Sequence, residues 1–545
     1  MIDHDRAAPN GPGTALLLVT LLGAVLRLFF LDHQSLWLDE VSSLRNARAF
    51  GQGGLDALAA VDQIAPLHSV ALWLSTSLGG TGAVAARMPS VLAGIATIPL
   101  VHLAALRMFG SRQAALFAAL LTAISPFGIW YSQEGRMYAL LMLATCAYVC
   151  VAWPIVARPL RLGELAALAA ITLLGLGMHH YMALLSASFG LFLLVKDRGI
   201  RRASLAWAAS QIAAALVFSY WMLLTAEKVG GAAGNEKPGF LLWVPYTVYT
   251  FVVGFSFGPT TADLAMAGSN AARVALAQAP AILLVAVPTA ILGLRALRRL
   301  RRSNREAALW LAIWLVGPIM LAVLSTLVTN ISFNVRYVVT SFPALMILLG
   351  LALADLPWAR LPALLRGARD AAPARDGHVR VGMAAGAALL ACMLVATVNI
   401  YANPAYARAD MRALARFLKH PPGHPILVAD NDLVSKMLAF YGTPGLPVPM
   451  QASYLTDRPR PPQVWQALAR DLPASGREVW LIEYRSWETD PQRYLRAQLD
   501  RHGQLLGRHD WPGVAVRRYR VVGEVAKAGR RGAPATREGT QGGQS

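Results

Sequence analysis

The sequence predicts an α-helical membrane protein that crosses the bilayer many times and carries a small α/β domain at its C-terminal end. Three observations predict it. Hydrophobic residues make up 56% of the 545 and charged residues only 15%, with mean hydropathy +0.45. A soluble domain carries about 25% charged residues, so the bilayer is the expected solvent. The apolar residues gather into runs near the ~20 residues a helix needs to cross the hydrocarbon core. After residue 400 that pattern gives way to short strand-like and helix-like runs in alternation.

Eleven segments read as crossings: 14–31, 88–107, 112–130, 137–157, 164–178, 181–195, 203–224, 273–294, 307–328, 337–356 and 381–400. Residues 1–13 are polar and form the expected cytoplasmic N-terminus. The first span ends in Arg27-Leu28-Phe29-Phe30 without a small-residue cleavage site, so it reads as a retained helix and not a removed signal. Two further apolar stretches, 66–78 and 240–257, raise the count to thirteen if both cross. Charge argues for eleven. Basic clusters fall at Arg107 and Arg112, at Arg158 and Arg161, at Lys196, Arg198, Arg201 and Arg202, and within 295–305 and 360–380. All five share the cytoplasmic side, as the positive-inside rule requires, only if 66–78 and 240–257 are helices lying in the outer interface. That parity puts residues 401–545 outside the cell.

The outer segment is expected to hold strands at Ile426–Ala429, 479–482 and Val514–Val521, and helices at Met411–Leu418, 464–468 and 494–499. It divides into an α/β domain over 401–526 and a Gly/Arg/Thr/Gln-rich tail over 527–545 expected to be disordered. Fifty Lys and Arg against 30 Asp and Glu give a net charge of +20. These arginines sit in short loops beside apolar spans, which points to anionic lipid headgroups and away from nucleic acid. The three cysteines, Cys146, Cys150 and Cys392, all lie in spans, so neither a disulfide framework nor a zinc site is readable. No internal repeat is evident, unlike many secondary transporters.

With this topology the chemistry-bearing residues share the outer face. Asp39-Glu40 follows Trp37. Adjacent carboxylates point in different directions on a helix, so one can face a reaction centre while the other supports it; the plainer reading is that Asp39 caps a surface helix running to Phe50. Arg136 and Arg336 each sit beside a tyrosine at the end of a span. The guanidinium fork matches phosphate, but snorkelling to the interface accounts equally for either alone. Glu134 is an ion-pair partner for Arg136 or a direct participant. Arg27, one turn below the outer end of the first span, needs an anion or an escape to the interface. His179 and His180 are hydrogen-bonding groups before they are metal ligands, since no Cys or HExxH pattern supports them. Gly230-Gly231-Ala232-Ala233-Gly234 is a lid or a plain linker, lacking the lysine and strand–helix setting of a phosphate loop.

Leu26-Arg27-Leu28, Leu36-Trp37-Leu38-Asp39-Glu40, Ala65-Pro66-Leu67-His68, Ala86-Arg87-Met88-Pro89-Ser90, Ser125-Pro126, Tyr131-Ser132-Gln133-Glu134-Gly135-Arg136-Met137-Tyr138 and Arg336-Tyr337 ahead of Pro343 span residues 14–356. In order and spacing these stretches resemble the GT-C fold membrane glycosyltransferases that use polyprenyl-phosphate sugars. The resemblance is to the bacterial branch of glycosyltransferase family 39, related to protein O-mannosyltransferases and the aminoarabinose transferase of lipid A. No Trp-Trp-Asp triplet occurs in 401–545, which argues against an oligosaccharyltransferase catalytic subunit.

The resemblance implies a membrane transferase domain over 14–400 with a catalytic outer loop at 32–87. It further implies transfer of a hexose or pentose from a polyprenyl-phosphate donor to an acceptor hydroxyl, with inversion, at the outer face of a bacterial cytoplasmic membrane. Asp39 is then the general base and Glu40 its support or an acceptor contact. Arg136, Arg336, His180 and Arg27 neutralise the donor phosphate, and His68, Glu134, Tyr337 and His179 make further substrate contacts. His68 stands where such mannosyltransferases often have glycine and lysine. No cofactor is assigned; outward acids leave room for Mg²⁺ or Mn²⁺ without a readable ligand set. The acceptor, whether lipid, glycan or protein, is open. The rival reading is a lipid-linked-sugar transporter or flippase without transferase activity; it requires charged or broken helices at mid-membrane, whereas these spans are nearly free of acids.

Overall fold

A computed structural model describes residues 12–62, 64–226, 240–267, 270–302, 304–328, 333–358, 377–419, 425–430, 433–442, 450–451, 465, 478–490 and 492–521. Residues 1–11, the glycine loop at 230–234, most of the basic cluster at 360–380, the helix expected at 464–468 apart from Trp465, and the tail at 527–545 lie outside the described residues.

The chain folds as two compact units, Met1–His33 with Ser42–Tyr406, and Gln34–Val41 with Ala407–Ser545. Sequence reading put the boundary at 401 and kept all of 32–87 with the membrane domain. The difference has a local cause in hydrogen bonding. Ser35 donates to Asp410 (2.7 Å) and the Leu36 N–H donates to the Tyr441 hydroxyl (2.8 Å), so this short stretch is tied to the C-terminal residues.

In the first unit the helices are α1 (Pro12–Leu28), α2 (Leu38–Ala59, whose first turn belongs to the second unit), α3 (Pro66–Gly79), α4 (Ala83–Phe109), α5 (Arg112–Ile124), α6 (Pro126–Ser132), α7 (Tyr138–Ala152), α8 (Leu162–Met178), α9 (Met182–Asp197) and α10 (Arg202–Thr225). They continue with α11 (Phe240–Val253), α12 (Thr261–Ala267), α13 (Ala271–Ala277), α14 (Ala279–Leu300), α15 (Arg305–Val328), α16 (Phe342–Ala354) and α17 (Gly377–Ala402). All eleven expected segments coincide with helices. Among the described residues, seven helices are long and apolar enough to cross a membrane, or eight if α5 and α6 form one bent span. The 14-residue α3 and α11 are each about 21 Å long at 1.5 Å per residue, short of a ~30 Å hydrocarbon core.

Two faces divide these helices. Leu17, Leu18, Leu21 and Val25 on α1, and Ile212, Leu216, Val217 and Leu223 on α10, are exposed, a stripe that only lipid or another apolar surface would cover. Inward, the bundle is close-packed, with Trp310 and Trp314 stacked 5.8 Å apart and fully buried. Gly350 lets α16 approach α5 so closely that a Cβ there would lie 2.7 Å from the Ala118 nitrogen. Cys146, Cys150 and Cys392 are buried thiols.

A bend of 56° separates α5 from α6. Proline forces its predecessor out of helical geometry, and Ser125 is extended (φ −61°, ψ 121°) before Pro126 while its hydroxyl accepts the Gly128 N–H to start α6. The bend frees the last carbonyls of α5, and Arg27 takes them. Its guanidinium donates to the carbonyls of Thr122 (3.0 Å), Ala123 (2.9 Å) and Gly23 (3.0 Å) and to the Ser132 hydroxyl (3.1 Å).

The second unit is a five-stranded sheet of order β2-β1-β3-β5-β4, formed by β1 (Ile426–Ala429), β2 (Met450–Gln451), β3 (Glu478–Tyr484), β4 (Gly503–Trp511) and β5 (Val514–Val521). β1 lies parallel to β2 and β3, and β5 antiparallel to β3 and β4. Alternation sends Trp480, Ile482 and Tyr484 toward α18 (Met411–Leu418) and α19 (Leu433–Phe440), and Val479 and Leu481 toward α20 (Tyr494–His502). The sequence reading found β1, β3, β5, α18 and α20 and missed β2, β4 and α19. β4 is a largely exposed edge strand with two glycines and no clean alternation, held by its ladder to β5 and not by its own hydrophobic face.

Replacing Arg27 by Met should strand buried carbonyls and cost roughly 2–4 kcal/mol, read as a lowered thermal midpoint of the purified protein in detergent. An unchanged midpoint would mean the four bonds carry no net weight.

Candidate functional site

Four chain breaks in the first unit bring polar side chains together. The first precedes α3. Asp62, 6% exposed, accepts the Ile64 and Ala65 N–H groups on Oδ1 (2.9 and 3.2 Å) and the Ser69 hydroxyl on Oδ2 (2.6 Å). With Pro66 at its first turn, α3 needs no other cap, and this arrangement fixes the rotation of the helix that carries His68.

The second break is 133–137, between α6 and α7. Gln133 donates to the carbonyls of Arg27 (3.1 Å) and Phe29 (2.7 Å), the Ser90 hydroxyl donates to the Arg136 carbonyl (2.8 Å), and the Arg136 guanidinium donates to the Ser43 hydroxyl (2.7 Å). Glu134 is buried in the same turn. The third break carries His179 and His180 between α8 and α9, not on a helix, with ring centroids 5.0 Å apart. His179 accepts the Tyr181 N–H on Nδ1 (3.2 Å). The fourth is the 3-10 turn Val335–Ser341, capped by Asn334, whose side-chain oxygen accepts the Arg336 N–H (3.1 Å).

Tyr138, at the start of α7, ties these breaks together. The guanidinium carbons of Arg136 and Arg336 lie 6.0 and 5.9 Å from its ring centroid, and Arg336 is 5.6 Å from that of Tyr337. Both contacts are within cation–π range, so one aromatic face helps hold two like charges near each other. His179 packs beside Tyr138 (6.2 Å), Tyr181 (4.7 Å) and Tyr337 (5.8 Å), and Tyr181 lies 4.9 Å from Tyr337.

The field of the arginines is legible in the imidazoles. Burial, and then the charge of Arg136, push the His68 pKa down to about 3 against the opposing pull of Asp62. Burial, His180, Arg136 and Arg336 hold His179 well below its usual range. His180 is lowered by burial, and Asp62 opposes this. All three histidines are therefore neutral hydrogen-bonding groups at physiological pH. Fixed guanidinium charge beside neutral imidazoles and tyrosines can bind a phosphate ester and stabilise negative charge that grows on it.

Of the expected site residues, Arg136, Arg336, Tyr337, His68, His179, His180 and Glu134 are brought together here. Arg27 is not; it is engaged by the carbonyls of α1 and α5. Asp39 and Glu40 lie in the second unit, in the first turn of α2, and diverge as expected of sequence neighbours. Glu40 is fully buried, accepting from the Trp37 N–H (3.2 Å) and pairing with Arg408 (3.2 Å), whereas Asp39 is half-buried. The helix begins at Leu38 and is kinked at Gly53-Gly54 before it ends at Ala59, so Asp39 sits inside its first turn and not at the cap. Sequence reasoning places Tyr181 in the outer-face group with His179 and His180 but gives it no role, and it misses Asp62 and the part played by Tyr138. Asp62 has a signal, an Asx turn leading into a proline-started helix. The tyrosines have none beyond lying next to residues already chosen.

A separate polar cluster lies in the second unit, at the C-terminal ends of β1 and β3. A small cavity of about 10 Å³, room for one water, is lined there by Asp430, Glu483, Ser486, Asp490, Arg493 and Arg496, among others. Asp430 accepts the Tyr484 N–H (2.9 Å) and the Ser486 hydroxyl, and burial pushes its pKa up to about 7. Among the described residues, no group of three or more His, Cys, Asp or Glu side chains is placed to hold a metal ion.

Residues 63–222 match the dolichyl-phosphate-mannose-protein mannosyltransferase family. No curated protein matches the sequence significantly. ArnT from Cupriavidus metallidurans in the apo state superposes with TM-score 0.55 at 16% identity, covering 92% of this chain and 97% of that one. The same protein bound to undecaprenyl phosphate gives 0.54 at 17% identity, covering 94% and 98%. The archaeal oligosaccharyltransferase AglB from Archaeoglobus fulgidus, in complex with an inhibitory peptide and a dolichol-phosphate, gives 0.52 at 12% identity, covering 93% and 74%. The chain has the GT-C fold. The family match takes in His68, Glu134, Arg136, His179 and His180 and stops short of Asp39 and Arg336.

Two pH effects follow. Because His68 binds its proton less readily folded than unfolded, the unfolded state takes up more protons below about pH 6.5, and stability should fall as pH drops from 6.5 toward 3. His68→Gln should flatten that fall in denaturation midpoints measured across the range. Asp430 has the opposite sign. The folded state holds more protons between 3.8 and about 7, so its contribution is lost as pH rises through that window. Hydrogen exchange at β1 and β3 should quicken accordingly, and Asp430→Asn should remove the dependence.

Proposed function

We propose that the protein is an integral-membrane glycosyltransferase that moves one sugar from a polyprenyl-phosphate donor to an acceptor hydroxyl, with inversion, at the outer face of a bacterial cytoplasmic membrane. The observation that carries the reading is the pair of guanidiniums, Arg136 and Arg336, gathered around Tyr138 where α7 begins, in a bundle with the GT-C fold. Solved relatives in fold hold undecaprenyl phosphate and a dolichol-phosphate, the class of ligand two such arginines suit.

In this reading Arg136 and Arg336 take the donor phosphate. A phosphate is already a good leaving group, so its departure needs charge neutralisation more than protonation, and preorganised guanidiniums in a poorly hydrated site supply it. The acceptor oxygen forms a bond to the anomeric carbon as the carbon–oxygen bond to phosphate breaks; the electron pair of that bond leaves with the phosphate. Asp39 accepts the acceptor's proton. Glu40, held by Arg408 and the Trp37 N–H, fixes the first turn of α2 and so the direction of Asp39. Tyr337 and His179 shape the wall beside Arg336. Arg27 braces the bundle beneath Gln133 and is not a donor contact. Any Mg²⁺ or Mn²⁺ requirement is open to direct assay with and without chelator. The C-terminal domain lies outside with Asp39, on the charge parity of the loops.

Asp39→Asn should lower transfer from a polyprenyl-phosphate sugar in proteoliposomes about 10²–10⁴-fold while leaving donor affinity within about twofold. Arg336→Ala should weaken donor binding about tenfold or more with the fold retained. Near wild-type turnover in the first variant sinks the base assignment; equal donor affinity in the second removes Arg336 from the phosphate site.

A further inference from the structure

Among the described residues, the imidazole of His68 is buried with a ring nitrogen that no protein group meets. The residue is 1% exposed, and the nitrogen is Nε2. A buried polar nitrogen left unpaired is costly, and such groups in native proteins have partners that the bare chain does not supply. The ring is held deliberately. Asp62 locks the first turn of α3 through Ile64, Ala65 and Ser69, and Ser69 is the residue next to His68. Asp62 spends both carboxylate oxygens on those three donors. It acts on His68 through the helix and through its field, not by taking the ring's proton. Burial, and then the charge of Arg136, keep His68 uncharged.

The chemistry of the missing partner follows. A phosphate oxygen only accepts, and a guanidinium fork is the group whose geometry matches it. A neutral imidazole has one donor and one acceptor, the same inventory as a hydroxyl. His180, also neutral and also carrying a buried Nδ1 without a partner, stands in the field of the same Asp62. We propose that His68, positioned by Asp62, is the contact for a hydroxyl of the transferred sugar, beside the phosphate and not on it. The inference rests on the transferase reading and gives it a specificity determinant: the donor is recognised by an uncharged hydroxyl near its anomeric carbon as well as by its charge.

The test is binding to the full-length protein, by competition in detergent, of undecaprenyl phosphate and of undecaprenyl-phosphate mannose, glucose and arabinose. Wild type should prefer one sugar-linked lipid over the bare one. His68→Leu should lose about tenfold or more of affinity for that lipid and stay within about twofold for undecaprenyl phosphate. His68→Gln, which keeps a donor and an acceptor, should recover most of the loss, and Asp62→Ala should share the pattern of His68→Leu in weaker form. Equal loss for the bare and sugar-linked lipids would make His68 a phosphate contact and overturn the proposal. No loss for either would make it a core histidine, with the same result. A wild type that binds none of the four lipids overturns the transferase reading and this assignment together; binding of all four without a His68 effect overturns this assignment alone.

Discussion

Positive charge kept away from water is the constraint on which this structure turns. Removing a guanidinium from solvent costs several kcal/mol unless partners replace its hydration. The protein meets that requirement in two ways. At Arg27 it is met from within, by carbonyls that the bend at Ser125-Pro126 leaves unused, and the result is a rivet between α1, α5 and α6. At Arg136 and Arg336 a tyrosine ring supplies part of the compensation, and the Ser43 hydroxyl takes a hydrogen bond from Arg136, so the pair is held where two chain breaks meet. The same residue type is thus mortar at one position and a receptor at two others. What separates them is the backbone around each, not the arginine.

That distinction explains what the sequence could and could not disclose. Helices were legible because lipid leaves them almost no alternative: a run of apolar residues near crossing length must satisfy its own backbone. All eleven expected segments are helical, and the shorter apolar stretches at α3 and α11 stop short of crossing length. The parallel strands β1 and β3 were legible from their aliphatic runs. β4 was not, because an edge strand is stabilised by its neighbour's backbone and its own side chains carry little record of that. Within the cluster, Arg136, Arg336 and His179 stood out as polar groups at the ends of apolar runs. Asp62 did not, since its work is done through three hydrogen bonds to residues a few places along. Arg27 misled for the same reason in reverse. An arginine in a span reads as a charge seeking an anion, and nothing in the one-dimensional pattern reports that a proline 99 residues later (126 − 27) opens a set of carbonyls to receive it.

The imidazoles complete the picture of a site graded by charge. Two fixed cations sit among three histidines that burial keeps neutral, reinforced by the arginines at His68 and His179. Such a gradient separates recognition of an anion from recognition of what is attached to it. It also limits how far acidity in the surroundings can alter the site. Protonating any of these rings means adding a third positive charge in a place that already strains to hold two, so the arrangement resists change over the range in which an exposed histidine would switch.

The three thiols have a practical consequence of their own. Cys146, Cys150 and Cys392 are all buried in the apolar bundle, where aqueous maleimides cannot reach them. The natural chain is therefore close to silent toward such reagents. A single cysteine placed in any loop would report its compartment against that quiet background without prior removal of native residues, which makes the sidedness of each turn directly measurable in intact cells.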